Sequence, residues 1–228
     1  GVSMHGSHRV VSENAVLAMP ETLIGLFPEI GARTFLNHLP GEIGTYLALT
    51  GSRINAADAI YCGLATHFVA ARDHAALHSR LAQSEKPDAV LTTLSTSPSG
   101  VAHLARHRDA IDRAFAASSV EDILERLDLE GDWGNETASL LRSRSPMSLK
   151  VTFRQMREGA ELDFASCQRM EFRIMARMME GHDFYEGVRA VLIDKDQSPR
   201  WVPPSLAMVS ENEIERFFAP LDDEEFTL

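Results

Sequence analysis

Two carboxylates, Glu21 and Glu29, stand eight positions apart in a stretch where every other residue from Ala15 to Ile30 except Thr22 is apolar or small. Paired carboxylates in an apolar setting are the raw material of acid–base work, because burial and local environment can separate their pKa values. Glu21 follows an apolar run and Pro20, so it is expected to project from a strand end into a dry site. Burial there would raise its pKa and suit it to act as a base or nucleophile. Glu29 follows Pro28, a residue suited to the first turn of a helix, where the helix dipole favours an ionised carboxylate. A fixed carboxylate is a good acceptor for a substrate hydroxyl. Gly25 and Gly31 would let backbone approach a ligand closely. The same spacing also suits a structural arrangement, with Glu29 a helix-start acid and Glu21 a solvated loop residue.

Other chemistry is thinly represented. His74/His78 and His103/His107 have helical i, i+4 spacing, but neither pair has a third ligand nearby in sequence, so no metal site is expected. His5 and His8 lie at the start, on one face of a helix end, and His182, before Asp183 near a helix start, reads as structural. There is no G-x-S-x-G elbow, P-loop, G-x-G-x-x-G fingerprint or C-x-x-C pair. Cys62 and Cys167 make no disulfide framework and point to a reducing compartment. Met170, Met175, Met178 and Met179 crowd one segment and read as packing residues. With 22 Lys+Arg against 33 Asp+Glu, the net charge of −11 gives no footprint for nucleic acid or an anionic membrane. No run approaches the roughly 20 apolar residues of a membrane span, and no signal peptide is seen.

The elements that must position these acids fall into two parts. Residues 1–71 read as a small α/β piece: strands at 9–11, 15–19 and 65–69, a loop or short extended piece at 22–27, and helices at 30–39, 41–50 and 56–64. Residues 72–228 read as helical, with helices at 73–83, 87–95, 101–117, 119–128, 134–143, 146–158, 162–179, 183–194 and 211–218. Residues 198–204 form a proline-pinned extended segment, and 222–225 a solvated acidic run. Two or three strands are marginal alone, so the sheet needs completion by an upstream segment or a partner chain.

Three runs carry a family resemblance. Ala18-Met19-Pro20-Glu21-Thr22-Leu23-Ile24-Gly25-Leu26-Phe27-Pro28-Glu29-Ile30-Gly31 resembles the active-site stretch of the enoyl-CoA hydratase/isomerase (crotonase) superfamily. Leu49-Thr50-Gly51, with Ala57-Asp58-Ala59 and Gly63-Leu64-Ala65, is similar to its "LTG…A.DA…GLA" segment. The run from Gly181 to Trp201, the segment Gly25-Leu26-Phe27-Pro28 and the helical stretch 145–159 resemble the 3-hydroxyisobutyryl-CoA hydrolase branch.

The resemblance implies an α/β fold, a ββα spiral followed by a mainly helical C-terminal region. It implies a thioesterase of valine breakdown that cleaves 3-hydroxyisobutyryl-CoA to 3-hydroxyisobutyrate and CoA without metal or redox cofactor. Glu21 matches the catalytic glutamate. Glu29 matches a second acid, usually Asp, that holds the substrate hydroxyl; the extra methylene here bears on specificity more than on chemistry. Lys195 and Arg200 are the cations placed for CoA phosphates. Gly1-Val2-Ser3 matches the end of the family's Gly-rich "MGGGVG" run, so an N-terminal segment or chain is expected to supply most of the CoA site and both oxyanion N–H donors. The helical parts imply a homo-oligomer. The implied location is cytoplasmic, or the mitochondrial matrix in a eukaryote. Two other functions fit the residues: hydration or isomerisation of an enoyl-CoA, which the Gly181 to Trp201 run disfavours, and a non-catalytic acyl-CoA-binding or assembly subunit.

Overall fold

A computed structural model describes residues 1–158, 162–221 and 225–226; of the acidic run at 222–225, residues 222–224 lie outside these, as does Gly159. The described chain falls into two compact units, one of residues 1–18 and 53–108, the other of residues 19–52 and 109–228. The units interleave in sequence because residues 53–108 pack with the N-terminal strand. The division expected at residue 71 therefore falls inside the first unit.

In the first unit, β1 (Val10–Val11) and β2 (His67–Phe68) pair in parallel, Val10 opposite His67 and Val11 opposite Phe68. The Arg9 guanidinium donates to the carbonyls of Gly6, Gly63 and Leu64, tying the strand start to the chain before β2. The strand expected at 15–19 is reduced to one antiparallel bridge, in which Leu17 and Ile54 exchange both backbone hydrogen bonds. Between Ile54 and β2, α3 (Ala56–Cys62) starts at a reciprocal Asn55–Asp58 capping box. Asp58 also accepts from the Leu104 N–H at 2.8 Å. Helices α4 (His74–Ala82) and α5 (Pro87–Leu94) close an apolar cluster of Val69, Leu77, Val90 and Leu91. Helix α6 (His103–Phe115) follows, and the division between the units, after Arg108, falls within it.

The second unit holds α1 (Ala32–Leu36), α2 (Ile43–Thr50), α7 (Val120–Leu127), α8 (Gly131–Arg142), α9 (Pro146–Glu158), α10 (Phe164–Glu180), α11 (Asp183–Val188) and α12 (Glu211–Phe218). Helix α2 is apolar on nearly every side and every one of its residues is buried, as such a helix must be. Ser119 and Asp163 cap α7 and α10 by accepting the Asp122 and Ser166 N–H groups. Leu26, Phe27, Val151, Met170, Ile174, Met178, Val209 and Ile214 form one buried cluster. Two of the four crowded methionines therefore pack in the unit's core, while Met179 is exposed.

Helix 183–194 is interrupted. After α11 the chain enters a π-helical turn over Arg189–Ile193, closed by the Asp194 N–H on the Arg189 carbonyl. Arg189 stands at the centre of an ion cluster there. Its guanidinium gathers Glu186, Asp194 and Asp196 within 2.6–2.9 Å, together with the Ser198 carbonyl. This cluster lowers the Glu186 pKa to about 2, chiefly through the Arg189 hydrogen bonds.

Candidate active site

Glu21 does not end a strand. It opens a 3₁₀ turn, Glu21–Ile24, that leaves through Gly25 in the left-handed region (φ 70°). Two helices of the same unit hold this turn. From the C-terminal end of α2, the Leu49 carbonyl accepts the Thr22 hydroxyl at 3.0 Å. Gly51 lies so close that a Cβ there would stand 3.0 Å from the Pro20 Cα. From the other side, α11 presses backbone against backbone. A Cβ on Gly25 would sit 2.3 Å from the Asp183 carbonyl oxygen, and one on Gly187 would sit 2.3 Å from the Ile24 carbonyl carbon. The space expected beside Gly25 for a ligand is thus filled by Asp183 and Phe184 backbone.

The supports are themselves anchored. Buried Arg144 donates to the Thr50 carbonyl at the end of α2. Buried Asp183 accepts from the Ser145 hydroxyl at 2.5 Å and the Val202 N–H at 2.8 Å. The Trp201 indole donates to the Ser143 carbonyl. Within this unit, Leu49-Thr50-Gly51 of the second run and the start of the Gly181 to Trp201 run therefore meet the Glu21 turn of the first.

The Glu21 carboxyl is partly buried, and its Oε2 is sealed from solvent with no partner among the described residues. Burial pushes its pKa up to about 7; its own backbone N–H pulls the other way, and the Glu29 charge adds to the rise. A carboxyl poised near neutrality is suited to proton transfer at physiological pH.

Glu29 is half-buried and lies in irregular chain. Helix α1 begins only at Ala32, behind two left-handed residues, Ile30 (φ 58°) and Gly31 (φ 67°). That turn separates Glu29 from the helix, so the expected helix-start setting does not apply. The segment is tied from three directions. Gln155 on α9 donates to the Pro28 carbonyl at 3.0 Å, the Glu29 carbonyl accepts the Ala32 N–H, and the Gly31 N–H donates to Glu171 Oε2 at 2.8 Å.

Glu171, on α10, is the site residue that sequence reasoning missed. It is 5% exposed, and its Oε1 is buried without a partner among the described residues. Burial raises its pKa to about 7; the Gly31 N–H opposes this, the Glu29 charge adds to it, and Gln168 and Arg33 oppose it more weakly. The signal lay in the helix pattern. Cys167, Ile174 and Met178 are the buried stripe of α10, and position 171 falls on it.

Lys195 and Arg200 are exposed, in the irregular chain that follows α11 and the π turn. Arg200 is fixed through its backbone, its N–H on Glu186 and its carbonyl on His182. Among the described residues, no group of three or more His, Cys, Asp or Glu could hold a metal ion.

The Glu171 shift predicts a pH-dependent stability. Its folded pKa of about 7 lies above the ordinary 4.5, so between these values the folded chain keeps a proton that the unfolded chain has released. Stability therefore falls as pH rises through that window, by on the order of 3 kcal/mol for this group. Glu171→Gln removes the ionisation. It is expected to melt higher than the wild type at about pH 8 and alike at about pH 5 in thermal scans. A constant offset between the two curves would contradict this.

The family model described as Enoyl-CoA hydratase/isomerase matches residues 1–218. The mitochondrial 3-hydroxyisobutyryl-CoA hydrolase of Danio rerio is 44% identical over 238 residues, covering 100% of this chain and 62% of the relative. The corresponding Dictyostelium discoideum protein is 41% identical over 234 residues, covering 98% and 61%. This chain thus spans about 62% of the length of such relatives. Among solved structures, a carnitinyl-CoA dehydratase from Mycobacterium thermoresistibile superposes with a TM-score of 0.92 at 35% identity, over 99% of this chain and 65% of that one. An enoyl-CoA hydratase from Rhodobacter sphaeroides 2.4.1 gives 0.88 at 34%, over 99% and 65%.

Proposed function

Since the chain belongs to the enoyl-CoA hydratase/isomerase family, we propose that it carries the acids of a thioester hydrolase that cleaves 3-hydroxyisobutyryl-CoA to 3-hydroxyisobutyrate and CoA. The supporting observation is Glu21, a carboxyl held near neutrality in a largely dry site within the family's active-site stretch. The hydrolase name of its relatives supports the substrate.

In this reading water and the thioester are the reactants. The Glu21 carboxylate takes a proton from water as the oxygen attacks the carbonyl carbon. The C–S bond then breaks, and the departing thiolate takes the proton from Glu21. Direct attack by Glu21, giving an anhydride that water opens, uses the same carboxylate. Neither route calls for a metal or redox cofactor. Glu29 accepts the 3-hydroxyl and so orients the acyl group. Lys195 and Arg200 meet CoA phosphates, and assembly into a homo-oligomer accompanies the family fold. We place the protein in the mitochondrial matrix of a eukaryote or the cytoplasm of a bacterium. No helix of the described residues is long and apolar enough to cross a membrane.

Glu29→Ala in the complete protein tests the hydroxyl assignment. It is expected to lower kcat/KM for 3-hydroxyisobutyryl-CoA by about 10–100-fold, the worth of one charged hydrogen bond, and to leave isobutyryl-CoA within a few-fold. Equal losses on both thioesters would count against it. Hydration of an enoyl-CoA is the second reading, favoured by the two solved neighbours described as a dehydratase and a hydratase. Release of free thiol, as opposed to loss of enoyl absorbance, separates the two.

A further inference from the structure

We propose that Glu171 is the positioning residue for the hydroxyl-binding acid: by holding the Gly31 N–H it fixes the left-handed Ile30–Gly31 turn and so aims Glu29. The inference rests on the assignment of Glu29 to the substrate hydroxyl.

The turn needs such a hold. Ile30 is β-branched and sits at φ 58°, a region that branched side chains strongly disfavour. Such a conformation is strained and persists only where its surroundings over-determine it. Thr34 closes the downstream side by donating to the Gly31 carbonyl at 2.6 Å. Upstream, Gln155 holds the Pro28 carbonyl. Between these stands the 2.8 Å bond from the Gly31 N–H to Glu171 Oε2. Glu29 lies between the Pro28 and Gly31 ties, so its backbone is pinned on both sides by side chains reaching from α9 and α10.

The choice of residue at 171 also speaks for a role beyond packing. An apolar side chain would suit a stripe made with Cys167, Ile174 and Met178. Instead a carboxyl is buried there, one oxygen unpartnered, beside the like charge of Glu29. Burying such a group is unfavourable for stability. What it provides is an acceptor placed at the Gly31 N–H.

The test uses the complete protein and steady-state kinetics with 3-hydroxyisobutyryl-CoA and isobutyryl-CoA, read as the ratio of the two kcat/KM values. Glu171→Met removes the acceptor at similar volume. It is expected to lower the ratio about 10-fold, with kcat for isobutyryl-CoA little changed. Glu171→Gln still offers an oxygen to the Gly31 N–H and is expected to keep the wild-type ratio. Glu171→Asp keeps the charge but shortens the reach, and is expected to lower the ratio several-fold; it decides the matter if the Met variant does not fold. A wild-type ratio in the Met or Asp variant overturns the inference, as does an equal loss on both thioesters. Glu29→Ala serves as the reference. If it loses the ratio and the Glu171 variants do not, only the positioning role fails. If it keeps the ratio, the hydroxyl-binding reading fails, and this inference with it.

Discussion

Replacing Glu21 by Gln is expected to lower thioester hydrolysis by about 10³-fold while acyl-CoA still binds. Gln matches Glu in shape, so the 3₁₀ turn and its ties to Leu49, Gly51, Asp183 and Gly187 are kept. What is lost is the one thing the burial prepared, a carboxylate with a pKa of about 7. A free carboxyl with the ordinary 4.5 would be a weaker base by over two pKa units, and one raised much further would be protonated at neutral pH. The pH profile carries the same signature. Because the ionised form acts, wild-type kcat/KM should fall as pH drops below about 7. Glu171 titrates over the same range, so the control is Glu171→Gln, which should keep this limb, whereas residual turnover in Glu21→Gln should lack it. Undiminished hydrolysis in Glu21→Gln would remove Glu21 from the chemistry.

The acid pair was legible in sequence because the stretch around it is so apolar that two carboxylates stand out. The long helices were legible for a similar reason. α9 at 146–158 starts where Ser145-Pro146 announces it, and α12 spans the expected 211–218, behind a Ser210–Glu213 capping box. Three features were hidden, each because it depends on contacts distant in sequence. The run 15–19 has strand composition, yet only Leu17 finds a partner, so composition alone overstates it. Pro28 advertises a helix start, but the start is delayed to Ala32 by a turn whose stability depends on Glu171, 140 positions away. Arg189 would extend a helix on propensity, yet the backbone there runs as a π turn, beside three acidic partners of which Asp194 and Asp196 lie beyond the turn.

Glu171 was obscured by the opposite effect. A lone Glu among Met, Arg and Phe in a helix of mixed character reads as surface. Only its place on the stripe with Cys167, Ile174 and Met178 marks it as inward-facing. The supports of the Glu21 turn show why the Gly181 to Trp201 run carries so much of the resemblance without contributing a catalytic acid. It builds α11, whose Gly187 abuts Ile24, and then folds back so that Val202 and Arg200 tie onto Asp183 and Glu186.

Gly187→Ala puts that reasoning at risk. Residue 187 is helical, and on helix propensity alone Ala should stabilise α11 by about 1 kcal/mol. The packing demands the reverse. The new methyl would lie 2.3 Å from the Ile24 carbonyl carbon, 2.4 Å from its oxygen and 2.5 Å from its Cα, all backbone that no rotamer change can move aside. Overpacking of this kind costs about 1–3 kcal/mol or more, so the net sign is destabilising. The strain can be relieved only by lifting α11 or shifting the turn that presents Glu21. A displacement of about 1 Å at a reacting group costs on the order of 10²-fold in rate. The expected result is a melting temperature lower by several degrees and a kcat about 10²-fold lower, with every acid of the site unchanged. Gly181→Ala provides the contrast. Its methyl would stand 3.3 Å from the Met178 carbonyl oxygen, a tight contact that a shift of a few tenths of an ångström relieves, and that variant should lose far less stability than Gly187→Ala and keep turnover near wild type. Full activity in Gly187→Ala would mean that α11 does not set the position of Glu21, and that the close approach at Ile24 serves packing alone.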